Sequence, residues 1–317
     1  MSDAEIARAA DVLRAGGLVA FPTETVYGLG ADASSTDAVH RLFAVKGRPA
    51  DHPVIVHLGD AAQLDDWAID LDDTARTLTT ACWPGPLTVV VRRAAHVPDA
   101  VTGGLDTVGL RVPDQPVALA LLREFGGGVA APSANRFGHV SPTTAADVFA
   151  DLGDDVDVIL DGGPSRVGVE STIVDCSHVE PAILRLGGTP RERVEALLGR
   201  AVPLLDAGEV RAPGTLESHY APRAAVELAD AGSLPELVAC ARARGERVGV
   251  IGATVDDDEV AELGVPRDGD EYAHDLYAML RDADARGLDR VIAVLPDPTG
   301  LGAAVTDRLR RASGARE

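Results

Sequence analysis

Apolar residues follow helical and strand-like spacings in turn along the first two-thirds of the chain. Apolar positions recur every three or four residues over 3–15 and stop at Gly16 and Gly17, which predicts a first helix. The same spacing predicts helices over 36–45, 73–82, 116–125, 145–152 and 191–198. Short apolar runs predict strands at 18–21, 54–58, 87–91, 108–112, 129–131, 156–160, 172–174 and 183–186. This alternation predicts an α/β fold built on a substantial mixed sheet.

The pattern breaks over 203–224, where periodicity is weak and three prolines occur. A second α/β set follows, with strands predicted at 226–228, 248–251 and 291–295 and helices at 234–242, 271–285 and 299–311. We therefore predict a larger domain over 1–205, a linker over 206–224 and a smaller βαβ-type domain over 225–317.

Composition narrows the class of protein. Apolar residues make up 46% of the chain, enough for a packed core, yet no apolar run approaches the ~20 residues that a membrane helix needs. The N-terminal stretch begins acidic and lacks the features of a signal peptide. Cys82, Cys176 and Cys240 are far apart and match no zinc-binding spacing. We expect a reduced cytoplasmic protein without a structural metal or a membrane segment.

The formal net charge is −21, and both halves of the chain are acidic. Nonspecific nucleic-acid binding needs arrays of lysine and arginine, so direct binding to RNA or DNA is disfavoured. A local basic pocket for a small anion stays compatible with this charge.

Lysine usage singles out one position. Lys46 is the single lysine in 317 residues, and the other 28 basic residues are arginine. It stands with Arg48 at the end of a predicted helix, where cations commonly complement the helix C-terminus. An ammonium is a compact point charge that suits phosphate or carbonate oxygens, whereas a guanidinium forms a planar fork. Lys46 and Arg48 are therefore candidate catalytic residues.

Other stretches combine hydroxyl groups, glycines and cations next to predicted strands: FPTETVYGLG (21–30), TVGLRVP (107–113), APSANRFGHVSPT (131–143), VESTIVD (169–175) and ILRLGG (183–188). Arg111 and Arg185 lie within apolar strands, where an unpaired charge is costly, so each should meet an anion from the protein or from a ligand. His57 also lies among apolar residues, where a histidine is usually structural. The first stretch could equally be an ordinary turn, and Arg111 could form a structural ion pair.

These stretches contain no recognised nucleophile motif, no HExxH and no paired carboxylates. Four cations with many hydroxyls suit the binding of a polyanionic nucleotide and a small polar molecule, with charge stabilisation during phosphoryl or nucleotidyl transfer.

Taken in order, FPTETVYGLG, KGRP, TVGLRVP, PSAN with SPT, ESTIVD, LRLGG and APGTLESHYAP resemble the YrdC/Sua5 family, specifically its two-domain Sua5 type. The resemblance spans nearly the whole chain. It implies a YrdC-like open twisted mixed sheet with a large cavity, then a smaller Rossmann-like Sua5 domain. It also implies that L-threonine, bicarbonate and ATP, with Mg²⁺, form L-threonylcarbamoyl-AMP and pyrophosphate, for a tRNA modification next to the anticodon completed by a downstream tRNA threonylcarbamoyl transferase.

The family pattern also implies roles for individual residues. Threonine would be bound by Thr25, His57, Arg111, Ser133 and Ser171, with Arg111 on its carboxylate. ATP would be bound by Lys46, Arg48, Thr107, Asn135, Ser141, Arg185 and Tyr220. The linker keeps Pro213, Gly214, His219, Tyr220 and Pro222 of the family pattern but differs over 215–218. It is expected to act as a lid.

Two alternatives remain at this point. An RNA-binding or ribosome-associated factor on the same fold is disfavoured by the charge and by an aromatic content of 3%. A carbamoyl-AMP-forming enzyme of hydrogenase maturation or antibiotic carbamoylation would carry additional domains, and nothing in the sequence resembles them.

Overall fold

The structure is a computed structural model that describes residues 1–49, 51–205 and 221–314. The described residues form two compact units. The first contains those of 1–137, 141–166 and 170–205, and the second contains Gly138–Val140, Val167–Val169 and 221–314. The predicted boundaries at 205 and 224 stay a prediction, and residues 206–220 of the predicted linker lie outside the described part of the chain.

Several helices of the first unit begin at side chains that cap the free N–H groups of the first turn. Ser2 caps the first helix in a capping box, Ser35 caps the second, and Thr144 caps the seventh. The helices are α1 (Asp3–Arg14), α2 (Thr36–Lys46), α3 (Leu64–Trp67), α4 (Asp73–Cys82), α5 (Asp99–Thr102), α6 (Pro116–Phe125), α7 (Ala145–Leu152) and α8 (Arg191–Leu198). The helices predicted from apolar spacing in this unit are all present, with ends that differ by one residue at most.

Nine strands within the described residues of the first unit form one mixed sheet, in the order β7-β1-β2-β6-β3-β5-β4-β8-β9. The strands are β1 (Val19–Phe21), β2 (Gly28–Asp32), β3 (Val56–His57), β4 (Leu87–Arg92), β5 (Thr107–Arg111), β6 (Val129–Ala130), β7 (Val158–Ile159), β8 (Thr172–Asp175) and β9 (Ala182–Arg185). Parallel and antiparallel pairs alternate along much of this order, which confirms the predicted mixed α/β sheet.

Strand β2 is missing from the sequence prediction, because its two glycines resemble a turn. Phe21 pairs with Gly28, so residues 22–27 connect β1 and β2 as a hairpin. A Cβ on Gly30 would lie 2.8 Å from Val129 Cγ1 and 2.9 Å from Phe21 Cε1. Glycine is therefore needed at position 30 for close packing within a strand.

One face of the large sheet carries the main apolar core. Val56 of β3 lies opposite Leu110 of β5, which lies opposite Val89 of β4, and all three are buried in the largest apolar cluster. Because side chains alternate along a strand, the neighbours of these residues point to the other face. That second face carries the polar side chains described below.

The second unit contains a parallel sheet of four described strands, in the order β10-β13-β11-β12. Its strands are β10 (Ala225–Ala229), β11 (Val248–Ile251), β12 (Ala261–Gly264) and β13 (Arg290–Val294), and its helices are α9 (Leu234–Ala243), α10 (Gly269–Ala285) and α11 (Leu301–Ser313). Parallel strands joined through helices confirm the Rossmann-like class. The edge strand β12 is absent from the sequence prediction because its sequence, AELG, is short and polar in part.

Among the residues that the structure describes, no helix is both long and apolar enough to cross a membrane.

Candidate active site

A row of polar side chains crosses the face of the large sheet opposite its main core. His57 of β3 lies beside Arg111 of β5, and Arg111 lies one step beyond the Val89–Leu110 pair, next to Thr88 of β4. In β8, Ile173 lies opposite Arg185 of β9, and Ser171 precedes Ile173 by two residues. Strand register therefore places these side chains on one face. They line a face of the sheet and not the strand ends that are typical of open α/β sheets.

Lys46 ends α2 and is almost completely buried. Its Nζ donates to the main-chain carbonyl oxygens of Ser133 and Asn135, each at 2.5 Å. Burial, with the charge of Arg48 second and opposed by Asp151, holds the pKa of Lys46 well below its usual value. The loop 133–135 is thereby attached to the end of α2, so the structure brings Lys46, Ser133 and Asn135 together.

Arg48 follows Lys46 after one residue, because Gly47 adopts a left-handed conformation that ends the helix. Arg48 is buried, its Nη2 donates to the carbonyl of Pro53 at 2.8 Å, and its guanidinium carbon lies 5.8 Å from the centre of the Phe43 ring. Two buried cations therefore leave the same helix end, as the sequence predicts.

Arg111 forms a buried ion pair with Glu24, with 2.7 Å between Nη2 and Oε1. Its Nε also donates to the carbonyl of Gly85 at 3.3 Å. Glu24 belongs to the 22–27 hairpin, so this connection lies over the polar face of the sheet. The ion pair that the sequence left open as an alternative for Arg111 is thus present.

His57 is buried beside Arg111, and its ring meets Phe21 edge to face with 6.0 Å between centroids. Burial first and the Arg111 charge second lower the pKa of His57 to about 3, although the Ile55 carbonyl acts in the opposite direction. The imidazole is therefore neutral at pH 7 and offers hydrogen bonds without adding charge.

Ser171 and Arg185 form a third group on this face. Arg185 donates from Nη2 to the carbonyl and hydroxyl oxygens of Ser171, at 2.8 and 3.1 Å. The Ser171 hydroxyl also lies 2.8 Å from that of Thr88. In the neighbouring loop, Ser141 donates to Glu170 Oε1 at 2.7 Å. Ser171, Arg185 and Ser141 are therefore buried and positioned by hydrogen bonds.

Thr25, in the hairpin, is buried and lies 2.7 Å from the Thr23 hydroxyl oxygen. Thr107 is half-buried at the start of β5, opposite Arg92, and four residues before Arg111. At about 3.3 Å per residue it lies ~13 Å from Arg111 along the strand. Strands β3 and β5 are parallel, so Thr107 lies near the N-terminal end of β3. Pro53, whose carbonyl accepts from Arg48, precedes that end of β3. Tyr220 lies outside the described residues.

Among the described residues of the first unit, the four buried cations outnumber the buried carboxylates near them. Lys46, Arg48, Arg111 and Arg185 are at most 8% exposed, and the buried carboxylates near them are Glu24 and Glu170. A third buried carboxylate of the unit, Asp175, lies at the far end of β8 and caps Ser177. Buried charges are stable when paired, so the excess of positive charge favours an anionic ligand.

The described residues contain no group of three or more His, Cys, Asp or Glu side chains arranged to hold a metal ion. Mg²⁺ commonly binds through one or two carboxylates together with substrate phosphates and water. Glu170 could supply one such oxygen, so the site fits a magnesium ion that enters with a phosphate ligand.

The roles predicted from the sequence do not include Glu24, Glu170 or Thr88. Glu24 was visible as a carboxylate within a short connection flanked by apolar strands, which is a signal for a buried charge. Glu170 and Thr88 give no comparable signal, since their partners become neighbours only after the sheet forms.

Two family models match successive parts of the chain. Residues 11–187 match the Sua5–YciO–YrdC family, described as telomere recombination, and residues 189–314 match the threonylcarbamoyl-AMP synthase C-terminal domain. The chain belongs to the Sua5–YciO–YrdC family. The family resemblance noted in the sequence motifs is thereby confirmed.

Individual members of this family are similar over almost their full length. The threonylcarbamoyl-AMP synthase of Pyrococcus abyssi is 43% identical, over 97% of this chain and 94% of its own. That of Bacillus subtilis is 42% identical, over 99% of this chain and 94% of its own. The crystal structure of P. abyssi Sua5 complexed with L-threonine superimposes with a TM-score of 0.93 at 41% identity, over 99% of this chain and 95% of that one.

Proposed function

We propose that this protein is a threonylcarbamoyl-AMP synthase, a nucleotidyltransferase that forms L-threonylcarbamoyl-AMP and pyrophosphate from L-threonine, bicarbonate and ATP. The observation that carries the proposal is the set of four buried cations in the described part of the first unit, which outnumber the buried carboxylates Glu24 and Glu170 near them. Full-length similarity to synthases, and to a family member that binds L-threonine, supports the same conclusion.

Threonine would occupy the part of the site formed by Arg111 and its neighbours. Arg111 would bind the carboxylate through charge-assisted hydrogen bonds. His57 is neutral and can hydrogen-bond the substrate without competing for its charges. The remaining threonine-binding residues in this proposal are Thr25, Ser133 and Ser171.

ATP would occupy the part formed by the end of α2 and the loops that follow β6 and β9. Lys46 and Arg48 would neutralise charge on the carbamate and phosphate oxygens, and they are the proposed catalytic residues. The other ATP-binding residues in this proposal are Thr107, Asn135, Ser141, Arg185 and Tyr220. Mg²⁺ would arrive bound to the ATP phosphates and further neutralise them.

The reaction needs no covalent enzyme intermediate. The threonine amine combines with bicarbonate to give a carbamate and water. A carbamate oxygen then attacks the α-phosphorus of ATP while pyrophosphate leaves. Holding both reactants on one buried face lowers the barrier mainly through orientation and preorganised charge.

The product would serve tRNA modification beside the anticodon, through a downstream threonylcarbamoyl transferase, and we place the reaction in the cytoplasm. All three cysteines are free, as expected in a reducing compartment. The predicted lid role of residues 206–224 belongs to this proposal as well.

A substrate-omission assay tests the proposed function. Pyrophosphate release from ATP should require threonine and bicarbonate together, and should stop when either is left out. Turnover with carbamoyl phosphate in the absence of threonine would instead assign the protein to the carbamoyl-AMP-forming enzymes.

A further inference from the structure

Glu24 is a buried residue of the site that has no role in the proposed function. Its side chain is 1% exposed, and Oε1 lies 2.7 Å from Arg111 Nη2. Apart from that ion pair, neither carboxylate oxygen has a hydrogen-bond partner among the described residues. An ionised carboxylate offers about four acceptor positions, and leaving them unfilled in a buried place is costly. The missing partner is therefore a donor, which a ligand can supply.

The charges around Glu24 indicate what kind of donor it is. Arg111 and Glu24 place a positive and a negative group side by side on the buried face. His57, the next titratable side chain beside Arg111, is uncharged at pH 7. An α-amino acid carries the complementary pair, a carboxylate for the arginine and an ammonium for the glutamate. The carboxylate alone would leave the acceptor oxygens of Glu24 without a donor.

We propose that Glu24 binds the ammonium group of L-threonine and accepts the proton that this group loses when the carbamate forms. The inference rests on the proposed function and adds a substrate-binding and proton-accepting residue to it.

The proton balance requires such an acceptor. Transfer of one proton from the threonine ammonium to the Glu24 carboxylate gives a neutral amine and a carboxylic acid. The amine nitrogen then forms a bond to the bicarbonate carbon, one C–O bond breaks, and carbamate and water result. The proton on Glu24 passes to solvent after product release. Proton transfer by a positioned side chain typically contributes ~10²–10⁴-fold in rate.

Protonation also removes a conflict of charge. An ionised Glu24 attracts the ammonium of the substrate but would repel the anionic carbamate that replaces it. The neutral acid can instead donate a hydrogen bond to a carbamate oxygen. One carboxyl group thus suits both the substrate and the intermediate.

A ligand pair separates ammonium recognition from a structural effect on Arg111. Calorimetric titration would compare L-threonine with the 2,3-dihydroxybutanoate of matching configuration, in which a hydroxyl replaces the ammonium. We expect Glu24→Gln to weaken threonine binding about 10- to 100-fold and to leave dihydroxybutanoate binding unchanged or stronger. Equal weakening of both ligands would show that Glu24 only positions Arg111, and would overturn the proposal.

Matched variants complete the experiment. Asp175→Asn makes the same change at a buried carboxylate at the far end of β8 and should alter neither affinity. Glu24→Asp keeps the charge and should recover part of the preference for threonine. Glu24→Gln should also lower kcat about 10²-fold or more, with the KM for ATP unchanged.

The outcomes also separate this inference from the proposed function. If the wild-type protein makes the adenylate and Glu24→Gln keeps full preference for threonine, the role of Glu24 is wrong and the proposed function stands. If the wild-type protein does not bind threonine at all, both are wrong.

Discussion

Lys46 illustrates how a single residue connects the helix with the loop opposite. Its ammonium is held by the main-chain carbonyls of Ser133 and Asn135, and the side chain is almost completely buried. Carbonyl oxygens stabilise a cation only in part, so an anionic ligand would gain by approaching it. An arginine fork could not take the place of a compact ammonium between two oxygens.

Lys46→Ala should lower kcat about 10²- to 10³-fold while circular dichroism shows an intact fold, since a positioned charge near the reacting groups is lost. Lys46→Arg keeps the charge and should still remain at least ~10-fold below the wild type, because the geometry changes. Pyrophosphate release measures both. Near-normal turnover of the alanine variant would contradict the catalytic role of this lysine.

His57 should make the folded state sensitive to acid. Its pKa is about 3 in the folded protein against 6.5 in the unfolded chain, so between these values the unfolded state binds more protons. Stability is therefore complete above pH 6.5 and falls as the pH drops towards 3. At pH 5 the loss is about 2 kcal/mol.

Urea unfolding at pH 7 and pH 5 measures this effect, with His57→Gln as the comparison. The variant should lose about 2 kcal/mol less than the wild type over that interval, because it removes the titrating group and keeps a polar side chain. An identical loss in both proteins would mean that His57 is not held neutral beside Arg111.

At the scale of elements, periodicity predicted most of the fold because it records which face each segment buries. The helices at 73–82, 116–125, 145–152 and 191–198 have the bounds expected. Strand β2 was missed because its glycines resemble a turn, and the packing of Gly30 against Val129 is decided by a strand distant in sequence. Edge strand β12 was missed for lack of an apolar run.

The sequence predicted the cations of the candidate site but not the contacts between its side chains. Arg111 and Arg185 were found because a charge inside an apolar strand is visible in the sequence, and Lys46 because it is the single lysine. The Arg111–Glu24 pair and the Ser171–Thr88 contact depend on hairpin folding and strand register, which local sequence does not specify.

Gly47 is the turn between the two catalytic candidates. It has φ of +67°, and no atom lies within 4 Å of where a Cβ would stand. Gly47→Ala should therefore cost about 1 kcal/mol through backbone strain alone and should lower kcat more than ~10-fold by redirecting Lys46 and Arg48.

Gly199 provides the matched control, because it ends α8 with φ of +64° and equally open space. Gly199→Ala should show the same loss in chemical denaturation and unchanged turnover. If both variants keep full activity, the geometry of the Lys46–Arg48 turn is not important for the reaction.

The whole molecule carries a net charge of −21, which sets its behaviour towards nucleic acids. The proposed product is used to modify tRNA. Because tRNA is a polyanion, the negatively charged protein as a whole should repel it. We expect filter binding to detect no tRNA complex tighter than about 10⁻⁵ M at ~0.15 M salt. Tight binding that falls steeply with salt, without ATP turnover, would favour the RNA-binding alternative.

The burial of Lys46 has a practical consequence for measuring the opening of this fold. A protease that cuts after lysine has one peptide bond to attack in the whole chain, between Lys46 and Gly47, because the sequence has no other lysine. That bond follows a side chain that is 3% exposed and sits at the end of α2. Cleavage into two fragments would therefore report how often the end of this helix opens, and protection by a ligand would report closure at the same place.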